Sequence, residues 1–283
     1  MPTSDPTLLV STDWLAERLT APDVRIVDGS MYLPTDGRDG RTLYDQAHIP
    51  GARFFDIDDI ADEHSPLPHM LPPIEKFVSR VRKMGIGDGH RVVVYDQQGI
   101  YSAARVWWMF RSFGHEDVAV LDGGLPKWQT EGHPVDDQPV EPKERHFTGR
   151  RNAAQVRDVT QMARAVKLRD EQIVDARAAG RFRGDAPEPR EGLRAGHIPG
   201  SLNVPFTELL NDDQTMKSED ELRTIFEGAG VDLTRPVVTT CGSGVTACVL
   251  TLALTRLGHA RNAVYDGSWV EWGSYSDLPV ETG

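Results

Sequence analysis

The feature that most restricts this chain is that it repeats itself once, in the same order, over nearly its whole length. Ile26-Val27-Asp28 returns as Ile173-Val174-Asp175, and His48-Ile49-Pro50-Gly51 returns as His197-Ile198-Pro199-Gly200. Val92 to Asp96 pairs with Val237 to Cys241, Gly114-His115 with Gly258-His259, and Asp122-Gly123 with Asp266-Gly267. The spacing drifts only between 144 residues (Trp128 to Trp272) and 149 (His48 to His197), so a few small insertions align the halves. A period this long marks duplicated domains, since solenoid units recur every ~20–50 residues.

The stretch from Asp136 to Arg151 is rich in charge, with Pro139 and Pro142 breaking regular structure, and reads as a connection. It puts one domain at residues 1–136 and the other at 154–283, with 137–153 between. Within each copy, short β-branched runs alternate with longer amphipathic segments, the pattern of a parallel sheet covered by helices. Arg91 to Tyr95 and Pro236 to Thr240 are expected as buried strands, leading into helices over Tyr101 to Phe113 and Val245 to Leu257. Glu75 to Met84 and Ser218 to Glu227 are expected as further helices, leaving at Gly85 and Gly228. The fold class is therefore α/β, two small open sheets in tandem. Ligands on such sheets sit at the carboxyl ends of strands, where Asp96 and Cys241 fall.

A formal charge of −12 disfavours a sequence-independent nucleic-acid binder, because phosphate neutralisation needs clustered Lys and Arg. Met1 to Thr12 carry no cation and no long apolar run, and Cys248 to Leu254 is too short to span a bilayer, so no membrane partner is expected. Cys241 and Cys248 are the two cysteines, seven apart in one element, which suits a reduced cytoplasmic protein. No Cys-x-x-Cys or His-Glu-x-x-His spacing occurs, and neither a metal nor another cofactor is expected.

Cys241 ends a strand and opens Cys241-Gly242-Ser243-Gly244-Val245-Thr246-Ala247 before a helix. Two glycines in four residues let successive amides point inward as an anion-binding nest, reinforced by the positive end of the helix. A thiolate or persulfide would be stabilised there, and the thiolate is the reacting form of a nucleophilic cysteine. The competing reading is a buried structural cysteine beside a tight turn. Phosphatases and arsenate reductases place a cysteine similarly, but their loops need an arginine six residues on, where this chain has Ala247.

These residues resemble the rhodanese superfamily, in particular its tandem 3-mercaptopyruvate sulfurtransferases. The resemblance rests on the paired His-Ile-Pro-Gly turns, Asp96 in place of the first copy's cysteine, Ser102 to Trp108, and the Cys-Gly-Ser-Gly-Val-Thr loop. It implies an enzyme that takes sulfane sulfur from a small-molecule donor onto Cys241 as a persulfide. The acceptor would be a thiol such as thioredoxin, a low-molecular-weight thiol, or cyanide. Thiosulfate-preferring members carry Arg and Lys after the cysteine, where Gly242 and Ser243 stand here, so 3-mercaptopyruvate is the expected donor. Thiosulfate:cyanide transfer and a non-catalytic persulfide carrier are the alternatives.

The resemblance further assigns Arg181 and Arg190 to the donor's carboxylate and keto group, a task that suits guanidinium forks. Gly242, Ser243, Gly244, Val245 and Thr246 form the loop around Cys241, and Tyr101 would line the donor pocket. His48 and Asp39 would complete a relay with Ser243, although the duplication favours reading His48 and His197 as equivalent turn residues. Arg177 and Arg183 read as solvated surface cations, Cys248 as packing, and Trp107, Trp108, Trp128, Trp269 and Trp272 as core or interdomain contacts. The first domain should be catalytically silent, because a carboxylate cannot carry sulfane sulfur.

Overall fold

The computed structural model describes residues 8–33 and 35–283. Met1 to Thr7, on which much of the reading of the amino terminus falls, lie outside the described residues.

Two five-stranded parallel sheets form, one from each copy. The first contains β1 (Leu9–Val10), β2 (Val24–Asp28), β3 (Arg53–Phe54), β4 (Arg91–Tyr95) and β5 (Val118–Leu121) in the order β1-β5-β4-β2-β3. The second contains β6 (Val156–Arg157), β7 (Gln172–Asp175), β8 (Leu202–Asn203), β9 (Val237–Thr240) and β10 (Asn262–Tyr265) in the order β6-β10-β9-β7-β8. The repeat in sequence is thus a repeat in topology, strand for strand. β4 and β9 are central, and Val92 to Tyr95 and Val237 to Thr240 are buried on both faces, which is why they read as continuous rather than alternating runs.

The first sheet is covered by α1 (Thr12–Ala16), α2 (Gly40–Gln46), α3 (Ile74–Lys83), α4 (Ala103–Ser112) and α5 (Gly124–Thr130). The second has α6 (Val159–Leu168), α7 (Ala179–Arg183), α8 (Glu219–Gly228), α9 (Ala247–Arg256) and α10 (Ser268–Trp272). α9 is enclosed on all sides, with every residue from Ala247 to Leu254 buried, as an apolar helix against a central strand must be. Trp107, Trp108, Trp128, Trp269 and Trp272 are each at most 1 % exposed and belong to the cores.

Several boundaries differ from expectation for physical reasons. α4 begins at Ala103 rather than Tyr101, because the amides of Tyr101 and Ala103 are both taken by the Asp96 carboxylate. α9 likewise begins at Ala247, two residues late. α3 leaves through left-handed Gly85 as expected, but α8 runs through Gly228 and turns at Gly230, the next glycine with positive φ. Residues 137–152 carry no helix or strand, yet they pack with the first compact unit. Phe147 joins the Phe77 and Phe110 rings, and Arg150 and Asn152 donate to Phe113 and Ser112 carbonyls.

By contact the chain divides into a first unit (up to Glu63, Leu71–Asn152 and Asn211–Met216) and a second (His64–Met70, Ala153–Leu210 and Lys217–Gly283). No helix among the described residues is long and apolar enough to cross a membrane.

Candidate active site

The second sheet delivers Cys241 to the carboxyl end of its central strand, where the chain must turn into α9. Cys241 is 2 % exposed and forms no disulfide with Cys248. Its carbonyl accepts from the Trp269 amide at 3.0 Å, and that of Gly242 accepts from Val270 at 2.8 Å, so the start of α10 holds the loop's outer edge. Gly244 adopts φ +77°, the left-handed turn that lets the loop curl back toward the cysteine. The amides of Ser243, Val245 and Thr246 donate to no protein acceptor among the described residues. Thr246 occupies the N-cap of α9 without a side-chain cap bond. Cys248 contributes its thiol to the Gly244 carbonyl at 3.3 Å, a packing and loop-bracing role.

The first unit shows what such a loop does with an anion. Asp96 is fully buried, and its carboxylate accepts from the amides of Gln98, Tyr101 and Ala103, each at 2.8 Å. Burial pushes its carboxyl above the ordinary range, against the pull of these backbone donors. At the repeat offset, Gln98 corresponds to Ser243 and Tyr101 to Thr246, two of the loop residues whose amides have no protein acceptor.

Arg181 stands beside the loop. A methyl group placed on Gly242 would lie 3.0 Å from Arg181 Nη2, so the glycine's missing side chain is space the guanidinium uses. Arg181 is held from behind by Glu188, Nε to Oε1 at 3.2 Å and Nη2 to Oε2 at 2.6 Å. Glu188 also accepts from Arg177 Nη1 at 2.8 Å, and Arg177 forks onto Asp175 at the end of β7. Arg177 is not the solvated cation expected: its side chain is wholly buried, over the Trp269 ring at 4.5 Å. Burial alone would depress its guanidinium, and Asp175 and Glu188 more than reverse that. Arg183 pairs with Asp185 at the surface, as read. Arg190 lies 3.3 Å from His69 Nε2, inside the second unit.

The relay residues have local occupations. His48 Nδ1 lies 2.7 Å from the Tyr44 carbonyl and Nε2 3.2 Å from that of Gln138, with the ring stacked on Tyr44. His197 repeats the arrangement, Nδ1 against the Phe182 carbonyl and ring on Phe182. Asp39 caps α2 through Thr42 N and Oγ1, both at 2.7 Å. Tyr101 enters through its amide on Asp96 and is partly exposed.

Sequence reading missed Ser268, which is fully buried at φ +50°. Its Oγ accepts from the Cys241 amide at 3.2 Å and donates to the Tyr265 carbonyl at 2.8 Å. The signal was present: Asp122-Gly123-Gly124 returns as Asp266-Gly267-Ser268, so a hydroxyl replaces a left-handed glycine in one copy alone. Glu188, flanked by Pro187 and Pro189, was likewise missed.

A model of the rhodanese-like domain matches residues 11–131 and again 158–275. The chain belongs to the rhodanese-like family, in its two-domain form. It is 46 % identical to human 3-mercaptopyruvate sulfurtransferase over 270 residues, covering 93 % of this chain and 91 % of that one. It is 44 % identical to thiosulfate sulfurtransferase from Bos taurus, covering 97 % and 94 %. The crystal structure of SseA from Escherichia coli, described as a 3-mercaptopyruvate sulfotransferase, superposes with a TM-score of 0.86 at 43 % identity, covering 93 % of this chain and 99 % of that one. Relatives named for different donors are thus nearly equally similar to this chain.

Proposed function

We propose that this chain is a sulfurtransferase that takes sulfur from 3-mercaptopyruvate onto Cys241 and passes it to a thiol or to cyanide. The observation that carries the reading is the matched pair of loops: Asp96 fills one nest with its own carboxylate, and Cys241 leaves the other open to an anion of sulfur. The Cys241 thiolate attacks the donor sulfur, the carbon–sulfur bond breaks, and its electron pair leaves as the pyruvate enolate, which solvent protonates to pyruvate. Arg181 and Arg190 hold the donor's carboxylate and keto oxygen, and Ser243 donates to the developing enolate oxygen. The outer sulfur of the persulfide rests on the amides of Ser243, Val245 and Thr246. An acceptor thiolate or cyanide then attacks that sulfur and releases Cys241, which divides one difficult displacement into two easier ones.

His48, Asp39 and Tyr101 are given no chemical step. Two cysteines that form no disulfide favour a reducing compartment, so a cytoplasmic site with thioredoxin or a low-molecular-weight thiol as acceptor completes the reading.

Mass spectrometry after incubation with 3-mercaptopyruvate tests it. The expected result is one added sulfur atom on Cys241 with one pyruvate released; no adduct on Cys241 would overturn the assignment. The second reading, thiosulfate as the better donor, is favoured by the similarity to the bovine enzyme. It is opposed by Gly242 and Ser243, which supply no cation for a dianion. The ratio of kcat/KM for the two donors separates them.

A further inference from the structure

The donor arginine does not act as a free cation. Asp175, Arg177, Glu188 and Arg181 form one chain of alternating charge, in which each arginine lies between or against acids: Arg177 between Asp175 and Glu188, and Arg181 against Glu188. Two carboxylates and two guanidiniums leave the chain electrically neutral as a whole. Glu188 is 4 % exposed in its side chain and Arg181 23 %, so solvent screens the Glu188 to Arg181 contact weakly on the inner side.

Glu188 takes the Nε and Nη2 edge of Arg181 and leaves Nη1 without a partner among the described residues. Nη2 meanwhile faces Gly242. The loop is thus offered donors from Arg181 in a fixed orientation with their charge already largely balanced, and Arg190, which pairs with no acid among the described residues, is left as the single uncompensated cation for the donor. For a monoanionic α-keto acid, directed donors suffice. A dianion such as thiosulfate must be stripped of a much stronger hydration shell, and only net positive potential offsets that.

We infer that Glu188 is a specificity-determining residue that neutralises Arg181 and thereby excludes dianionic donors from the Cys241 site. This rests on the donor reading above and extends it from the two loop positions to a carboxylate outside the loop. Arg181 cannot be replaced in this scheme by a lysine, whose single ammonium could not face Glu188 and the donor through separate edges.

The test is Glu188→Gln, assayed with both donors and cyanide. Its kcat/KM for thiosulfate is expected to rise about tenfold relative to that for 3-mercaptopyruvate, the scale on which one unit charge alters a partly screened site. Glu188→Asp, which keeps the charge, should return the ratio close to wild type. Equal losses for both donors in Glu188→Gln would mean a structural role alone and would overturn the inference. If Glu188→Gln does not fold, the wild-type protein decides: thiosulfate kcat/KM should fall less than about fivefold with added potassium chloride, the response to one uncompensated cation, whereas a larger fall would reveal a second and overturn the inference. Failure of the donor reading is distinguishable, because wild-type protein would then acquire no sulfur on Cys241 from 3-mercaptopyruvate.

Discussion

The two halves of this molecule share one sheet order and differ where their central strands end. In the first, Asp96 closes the loop on itself through three backbone amides; in the second, Cys241 occupies the same place and the corresponding amides of Ser243 and Thr246 stay open. Two other exchanges accompany this one. Ser30, whose Oγ accepts from the Gln97 amide, is matched by buried Arg177, and left-handed Gly124 is matched by Ser268. A nest in a strand-to-helix turn is therefore a property of the fold, and in the proposed function reactivity depends on what is left out of it. The glycine at 242 and the absence of an internal carboxylate matter as much as the thiol.

The largest effect expected is on Cys241→Asp. If the loops are equivalent, the new carboxylate should accept from Ser243 and Thr246 as Asp96 accepts in its own loop. The variant would fold with a melting temperature at or above wild type while transfer falls by at least about 10⁴-fold, as for loss of a covalent nucleophile. A folded variant with measurable turnover would break the comparison, and so would one that cannot fold.

Next in size is a contrast between the buried aspartates that end β2 and β7. Asp175 is paired with Arg177, and Asp175→Asn should cost about 3–5 kcal/mol by leaving a buried guanidinium under-compensated, read by chemical denaturation. Asp28 pairs with no cation among the described residues, and burial raises its carboxyl to about 6 against bonds from Ser30 and Tyr95. Its folded value lies above its unfolded one, so its contribution is fully present below about pH 4 and is lost as pH rises through about 6. Asp28→Asn should flatten stability across that window and raise it at pH 7.

Arg181→Ala should lower kcat/KM for 3-mercaptopyruvate by about 30- to 100-fold, roughly 2–3 kcal/mol for a lost charge-assisted fork. Discharge of a preformed Cys241 persulfide to cyanide should change little. Gly242→Arg with Ser243→Lys should move preference toward thiosulfate by about tenfold or more, since the new side chain displaces Arg181 and adds the cations a dianion needs. Should the ratio of kcat/KM for the two donors stay at its wild-type value, the role assigned to the two loop residues fails.

The smallest effect separates strain from bonding at Ser268. Ser268→Ala keeps the left-handed backbone and loses the bond to the Cys241 amide, and should cost about 1 kcal/mol of stability. Ser268→Gly relieves the backbone strain, about 1–2 kcal/mol, and should be near neutral in stability while still slowing persulfide formation. Equal rates in wild type and both variants would remove Ser268 from the site.

Much of this was legible because duplication supplies an internal alignment. The two tandem parallel sheets, Cys241, its glycine loop and Asp96 in the cysteine's place all follow from reading one half against the other, and Arg181 from a family pattern. What escaped is long-range charge pairing. Nothing in the spacing of Asp175, Arg177 and Glu188 says that three ionised side chains will be buried together, and a lone arginine in a polar stretch is ordinarily solvated. Ser268 escaped for a different reason: the relevant signal was a missing glycine in a copy where the flanking residues matched.

A carboxylate permanently seated in the first loop also fixes a count. Quantitative titration of labile sulfur should reach one equivalent per polypeptide however high the donor concentration, because the duplicated cradle carries its own lifelong tenant and has no room for a guest.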